Sequence, residues 1–209
     1  MLTVYGHPAS TCTRKVLTTL HELSIPYDFS LVDFAKGEHK GAEHVARQPF
    51  GQVPAIDDGG FALYESRAIC RYLNDKVGGT LIPPDLQGRA VMEQWISVES
   101  SNFVVPAMKF VYKDIFHRPQ SDDAMHDAIA GLERALAVMD ARLAEVPYFA
   151  GETFSIADIA YMPYVEYDLA TSARPIYEKY LHVMAWWTRV SARASWRKVK
   201  AIFEPYWAW

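Results

Sequence analysis

The segment Gly78-Gly79-Thr80-Leu81-Ile82-Pro83-Pro84-Asp85 limits the folds open to this chain more than any other. Paired glycines followed by paired prolines stop a helix and break a strand ladder, so the segment reads as a linker. Its flanks differ in composition. Eight of the 11 glycines precede Asp85, and all 6 tryptophans follow it. A chain of 209 residues has length for two compact units. The expected domains are therefore residues 1–79 and 86–209, with 80–85 joining them.

The first part alternates between strand and helix patterns. Leu2 to Tyr5 reads as a short strand. Val16, Leu17, Leu20 and Leu23 then fall on one face of a helix that Ile25-Pro26 closes. Tyr27 to Val32 reads as a second strand. Lys36 to Pro49 is polar and accommodates one irregular helix. Val53 to Asp57 and Phe61 to Tyr64 flank Asp58-Gly59-Gly60, a hairpin signal. Ala68, Ile69, Tyr72 and Leu73 mark a helix ending near Gly78. The order β-α-β, β-β-α predicts an α/β layer with a mixed four-stranded sheet, its first crossover right-handed.

The second part reads as helical throughout. Leu86 to Lys113 is one long helix with a kink expected at Pro106. Ser121 to Leu143 carries Ile129, Leu132, Leu136 and Met139 on one stripe. Further helices are expected from Ser155 to about Tyr167, from Tyr177 to about Ala192, and from near Ser195. Helices of this length with short connections pack as an all-α bundle.

Composition removes several functions. The net charge of −4 argues against a nucleic-acid partner, which needs a dense basic face. No run reaches the roughly 18 apolar residues of a membrane span, and the first residues show no basic stretch followed by an apolar core. A soluble cytoplasmic protein is expected. Cys12 and Cys70 are too few for a disulfide scaffold or a four-cysteine zinc site, although one bond between them is open. The histidines show no H-x-x-x-H pair, and no metal site is expected.

Three places carry chemistry. In Gly6-His7-Pro8-Ala9-Ser10-Thr11-Cys12-Thr13-Arg14, Ser10 stands where a strand turns into a helix. It is either the helix N-cap or a hydroxyl donor to an anion held at the positive helix end. In Gln52-Val53-Pro54, proline opens a strand. A cis bond there turns the Val53 N–H and C=O toward an extended peptide ligand, and the plain alternative is an edge-strand proline. In Tyr64-Glu65-Ser66-Arg67, Ser66 opens a helix whose first amides suit a carboxylate, and Glu65 suits an ammonium. Ser66 as a simple cap is the alternative.

Together these segments resemble the cytosolic glutathione transferases, and Gly37-Glu38-His39-Lys40, Pro49 to Ala55 and Phe61 to Ile69 are similar to the phi class. Phe149 to Asp158 resembles the family's helix-starting segment. Ser155 and Asp158 there read as a capping-box variant, with Phe154 stapling to Ile159.

The resemblance implies a thioredoxin-like domain followed by an all-helical one, working as a homodimer. Glutathione is the implied co-substrate, with no cofactor. Its γ-glutamyl carboxylate is expected at Ser66 and its amine at Glu65, with Gln52 helping at that end. Val53 pairs with the cysteinyl part beside Pro54, and His39 and Lys40 face the glycine carboxylate. Ser10 donates to the sulfur, which lowers the thiol pKa because the anion gains most from the donor. Thr11 takes that role if the turn shifts by one residue.

The hydrophobic electrophile is expected between the domains, against Phe103, Met108, Phe110, Val111 and Phe116, with Tyr164 and Tyr167. Cys12 reads as a packing residue, because relatives with a catalytic cysteine carry it at the position of Ser10. Conjugation is the expected reaction. A glutathione-dependent peroxidase or thiol transferase, and a non-catalytic carrier of hydrophobic ligands, are the alternatives.

Overall fold

The computed structural model of the chain describes residues 1–203. Two compact units divide at Gly79 and again at Arg193. Residues 204–209 of the expected second domain lie outside the described residues.

The first unit is built on a four-stranded sheet in the order β2-β1-β3-β4. Strand β1 (Leu2–Gly6) alternates buried and half-buried residues, as a strand covered on one face should. It pairs in parallel with β2 (Asp28–Leu31) and antiparallel with β3 (Ala55–Asp58), and β4 (Phe61–Tyr64) closes the antiparallel edge. The hairpin between β3 and β4 turns on Gly59 and Gly60, both at positive φ, where glycine avoids the cost a side chain would bring.

Helix α1 (Thr11–Glu22) lays Val16, Leu17 and Leu20 into the core and ends where Ser24 turns left-handed and the Ile25 amide bonds Leu20 C=O at 3.0 Å. The polar stretch after β2 holds a 3₁₀ turn (Glu38–Lys40) and the short α2 (Ala42–Val45). Helix α3 (Ser66–Val77) packs beside α1 with Ile69, Cys70 and Leu73 buried.

The second unit is helical. The single helix expected over 86–113 is interrupted. Helix α4 (Leu86–Val98) widens into a π-turn (Glu99–Phe103), α5 (Val104–Phe110) follows, and a second π-turn covers Val111–Ile115. Pro106 has no N–H for the carbonyl four residues back, so the ladder loses a bond beside the first widened turn. Helix α6 (Asp122–Glu145) is capped by Ser121. It buries Leu132, Leu136 and Met139, while Ile129 is 42% exposed. Met125, Ala128 and Leu143 complete the buried stripe in its place. Helix α7 (Ile156–Leu169) follows, then α8 (Arg174–Tyr177) and α9 (Leu181–Ser191) where one helix from Tyr177 was expected.

Helix α10 (Ala194–Phe203) groups with the first unit, although 86–209 reads from sequence as one domain. Its Trp196 and Phe203 rings each lie 4.5 Å from the guanidinium of Arg14, which is fully buried in α1. A cation between two aromatic faces gives this contact strength as well as area. Ser195 adds a hydrogen bond to Glu22.

One buried carboxylate organises the second unit. Asp158 accepts from the Ser155 amide at 2.9 Å, the Ser155 hydroxyl at 3.0 Å, the Phe149 amide at 3.1 Å and Trp186 Nε1 at 2.9 Å. With the cap at Ser155 this forms the capping box expected from sequence. Burial pushes the Asp158 carboxyl up to about 6 against these four donors. The rings of Trp95, Tyr161 and Trp186 meet around Phe149 at 4.9, 4.4 and 5.1 Å. Asp158→Ala is expected to lower stability by about 3 kcal/mol or more, since four buried donors lose their acceptor. Urea unfolding measures this, and a loss below about 1 kcal/mol would contradict the assignment.

Among the described residues no helix is long and apolar enough to cross a membrane, and no group of three or more His, Cys, Asp or Glu side chains is arranged to hold a metal ion.

Candidate functional site

Strand register gathers the expected site residues at one end of the first unit. Tyr5 pairs with Ala55 and Ala55 with Tyr64. The end of β1, the start of β3 and the end of β4 therefore coincide. Beyond them lie the Ser10 turn, Val53-Pro54 and Glu65-Ser66. Gly6 pairs in parallel with Leu31, which sends the segment carrying His39 and Lys40 off the same end. Both α1 and α3 start there, so two positive helix ends share one surface.

Ser10 is the N-cap of α1, and its Oγ accepts the Thr13 amide at 3.2 Å. The bond uses an oxygen lone pair and leaves the hydroxyl hydrogen to be donated outward. Cap and anion donor are thus compatible roles for one side chain. Thr11 and Cys12, both half-buried, occupy the first two helical positions. No disulfide joins Cys12 and Cys70. Burial pushes the Cys70 thiol up to about 11, which makes it a poor nucleophile.

The Val53–Pro54 bond is cis. The loop before it is tied at several points. Lys40 Nζ donates to Phe50 C=O at 2.9 Å, the Gln52 amide donates to Gln48 Oε1 at 3.2 Å, and His44 Nε2 donates to Gln52 C=O at 2.6 Å. Gly51 adopts φ +60°, and a Cβ there would meet His39 C=O at 2.7 Å, so only glycine fits. His44 and Gln48 have no place in the sequence-based site, yet they carry the loop. Their spacing of four, from α2 into the turn that follows it, is the signal that could have found them.

Glu65 precedes α3 at φ 70° and ψ 106°, a strained backbone for a residue with a side chain. Such strain costs on the order of 1–3 kcal/mol and collects at functional sites. The helix takes no side-chain cap, and Ser66 stands at its first helical position rather than at the cap. Ser66 is buried, while Gln52 and Glu65 are exposed and Val53 and His39 half-buried. Exposed Lys40 already spans to the Phe50 carbonyl.

The chain matches two family models, described as the glutathione S-transferase N-terminal domain over residues 9–76 and the glutathione S-transferase C-terminal domain over 103–194. It is 35% identical to a probable glutathione S-transferase GSTF2 of Oryza sativa subsp. japonica, with 97% of each chain covered. The chain belongs to the glutathione S-transferase family. It is also 32% identical to glutathione S-transferase F10 of Arabidopsis thaliana, with 98% of both chains covered. Among solved structures it superposes on glutathione transferase F2 from Populus trichocarpa with a TM-score of 0.93 at 34% identity, over 98% of this chain and 100% of that one. Glutathione S-transferase I from maize, in complex with an atrazine glutathione conjugate, gives 0.90 at 32% identity over 98% of each. The phi-like resemblance of the motifs thus agrees with plant F-type transferases along the whole chain.

In the helical unit of this glutathione S-transferase, the seven residues expected against an electrophile divide by accessibility. Phe103, Phe110, Val111, Tyr164 and Tyr167 are buried. Phe103 meets Tyr161 at a tilt at 5.0 Å and Tyr164 edge-on at 6.3 Å, which is core packing. Met108 and Phe116 are half-buried and keep surface a ligand can touch.

Ser66→Ala is expected to raise the Michaelis constant for glutathione by roughly five- to thirtyfold, the worth of about 1–2 kcal/mol in a hydrogen bond to a charged group. Steady-state kinetics at varied glutathione checks this, and an unchanged constant would remove Ser66 from the carboxylate site.

Proposed function

We propose that the protein joins the glutathione thiolate to hydrophobic electrophiles, with Ser10 as the thiolate donor. The observation that carries this reading is the Ser10 hydroxyl, whose oxygen caps α1 while its hydrogen is left for an anion at the helix end. A hydrogen bond made to the anion lowers the thiol pKa, and the thiolate is the attacking species. The uncapped start of α3 and the Ser66 hydroxyl suit the γ-glutamyl carboxylate. Glu65 suits its amine, with Gln52 beside it, and the Val53 backbone suits the cysteinyl peptide. His39 and Lys40 suit the glycine carboxylate, although the bond from Lys40 to the Phe50 carbonyl competes with that use. Glutathione serves as co-substrate, and the chemistry needs no further cofactor. Thr11 is the reserve donor. Met108 and Phe116 are the first candidates for contact with the electrophile. The cytoplasm is the proposed location, on the likeness to cytosolic transferases.

The same reading includes a homodimer. An apolar groove of about 770 Å³ on the helical unit, lined in part by Val98, Val105, Pro106, Gly131 and Val138, supports it. Val105 and Val138 in this groove are 63% and 55% exposed, and exposed apolar surface of this kind suits a second copy. Sedimentation at micromolar concentration is expected to give a dimer, and a monomer would remove this part of the reading.

The catalytic claim is tested by Ser10→Ala with Thr11→Ala as its partner variant. Ser10→Ala is expected to lower turnover of an aryl halide by tenfold or more, at about 1.4 kcal/mol per power of ten. Glutathione affinity should change little, and the pKa of bound glutathione should rise. Full activity in Ser10→Ala with loss in Thr11→Ala would move the donor by one residue. Full activity in both would remove both hydroxyls as the thiolate donor.

A further inference from the structure

The turn that presents Ser10 is held by a side chain that the reaction does not otherwise use. His7 donates its amide to Thr13 Oγ1 at 3.4 Å, and its carbonyl accepts the Ser10 amide at 2.9 Å. Its ring nitrogen Nδ1 accepts the Ala9 amide at 3.2 Å. Pro8, the remaining residue of the turn, has no N–H to contribute. His7 is 8% exposed, and its ring lies flat against Phe34, with centroids 4.5 Å apart and planes 16° apart. Phe34 in turn meets the His39 ring edge-on at 5.0 Å. One imidazole therefore touches both the Ser10 turn and the segment bearing His39.

We propose that His7 is a positioning residue for the thiolate site, its neutral imidazole fixing the Ala9-Ser10 backbone through Nδ1 and seating the Phe34–His39 segment through its face. This rests on Ser10 being the thiolate donor and deepens that reading. An amide N–H donates to Nδ1, so Nδ1 holds a lone pair and the ring proton sits on Nε2. Protonation adds a hydrogen at Nδ1 that opposes the Ala9 N–H. The turn then loses its anchor, and the Ser10 hydroxyl loses its aim.

The surroundings favour the neutral ring. Burial holds the imidazole below its ordinary value, against the pull of Asp33 from the segment after β2. His39 stands beyond Phe34, and α1 offers Thr13, which does not titrate. The acceptor is accordingly present at neutral pH and is lost as pH falls through a value below the unperturbed histidine range.

Two substitutions in the full-length enzyme separate the acceptor from the stack. His7→Phe keeps a ring against Phe34 and removes the acceptor. His7→Asn removes the ring but places Oδ1 where it can accept the amide two residues on, as asparagine does in turns. With glutathione and an aryl halide, His7→Phe is expected to lower kcat by roughly tenfold or more while KM for glutathione stays within about twofold. His7→Asn should restore kcat to within about threefold of the native enzyme. The acid side of the native kcat profile should show two ionisations, bound thiol and His7, and that of His7→Asn only one.

Native kcat and profile in His7→Phe would overturn the proposal, as would a loss in His7→Asn equal to that in His7→Phe. If His7→Phe does not fold, the profile of His7→Asn decides: one acid-side ionisation supports the proposal and two overturn it. The ultraviolet absorbance of bound thiolate separates this proposal from the reading beneath it. A native enzyme that binds glutathione without forming the thiolate sinks the Ser10 reading. A native thiolate that persists unchanged in both variants sinks the His7 proposal alone.

Discussion

The pairing of β1 with its neighbours is the constraint on which the proposed glutathione site depends. Its partners run parallel on one side and antiparallel on the other. That mixture brings the ends of β1, β2 and β4 and the start of β3 to one edge of the sheet. The proposed site residues are scattered from Ser10 to Ser66 in sequence, and this register collects them. A one-residue slip of β3 against β1 would turn its buried residues to the wrong face and carry the Val53 peptide out of line with the Ser10 turn. Hydrophobic burial of Leu2, Val4 and Ile56 thus sets the position of polar groups that contribute little to stability themselves.

At the edge so formed, local requirements of folding and chemistry fall on the same atoms. Ser10 satisfies a free amide of α1 with its oxygen, and the hydrogen that remains is the one an anion needs. Glu65 shows the opposite arrangement. Its backbone is strained and its side chain caps nothing, so local folding gains nothing from it. The hairpin and α3 hold it in place from both sides.

Much of this was legible in the chain. Alternation in Leu2–Gly6, the glycine pair after Asp58 and the capping pattern at Ser155 each have a local cause, and each element appears where that cause put it. The cis bond at Val53–Pro54 follows the same logic. What sequence could not show was decided at a distance. Ile129 fits the helical stripe of α6 by spacing, but the packed neighbours of that helix take Met125 and Ala128 instead. The widened turns of the long helix have no sequence signature beyond Pro106. His44 and Gln48 look like ordinary polar helix residues until the Gly51–Gln52 loop folds back on them.

The arginine clamp on α10 has a consequence for the order in which the molecule is made. Arg14 lies near the start of the chain, and the two rings that enclose it, Trp196 and Phe203, lie near the end. A chain emerging from the ribosome exposes β1 and α1 first, but the aromatic cover over this buried cation arrives only after the helical unit has been synthesised. Domains that are continuous in sequence can fold as soon as they emerge. Here the unit bearing the proposed thiolate site is discontinuous, so it is begun first and completed last.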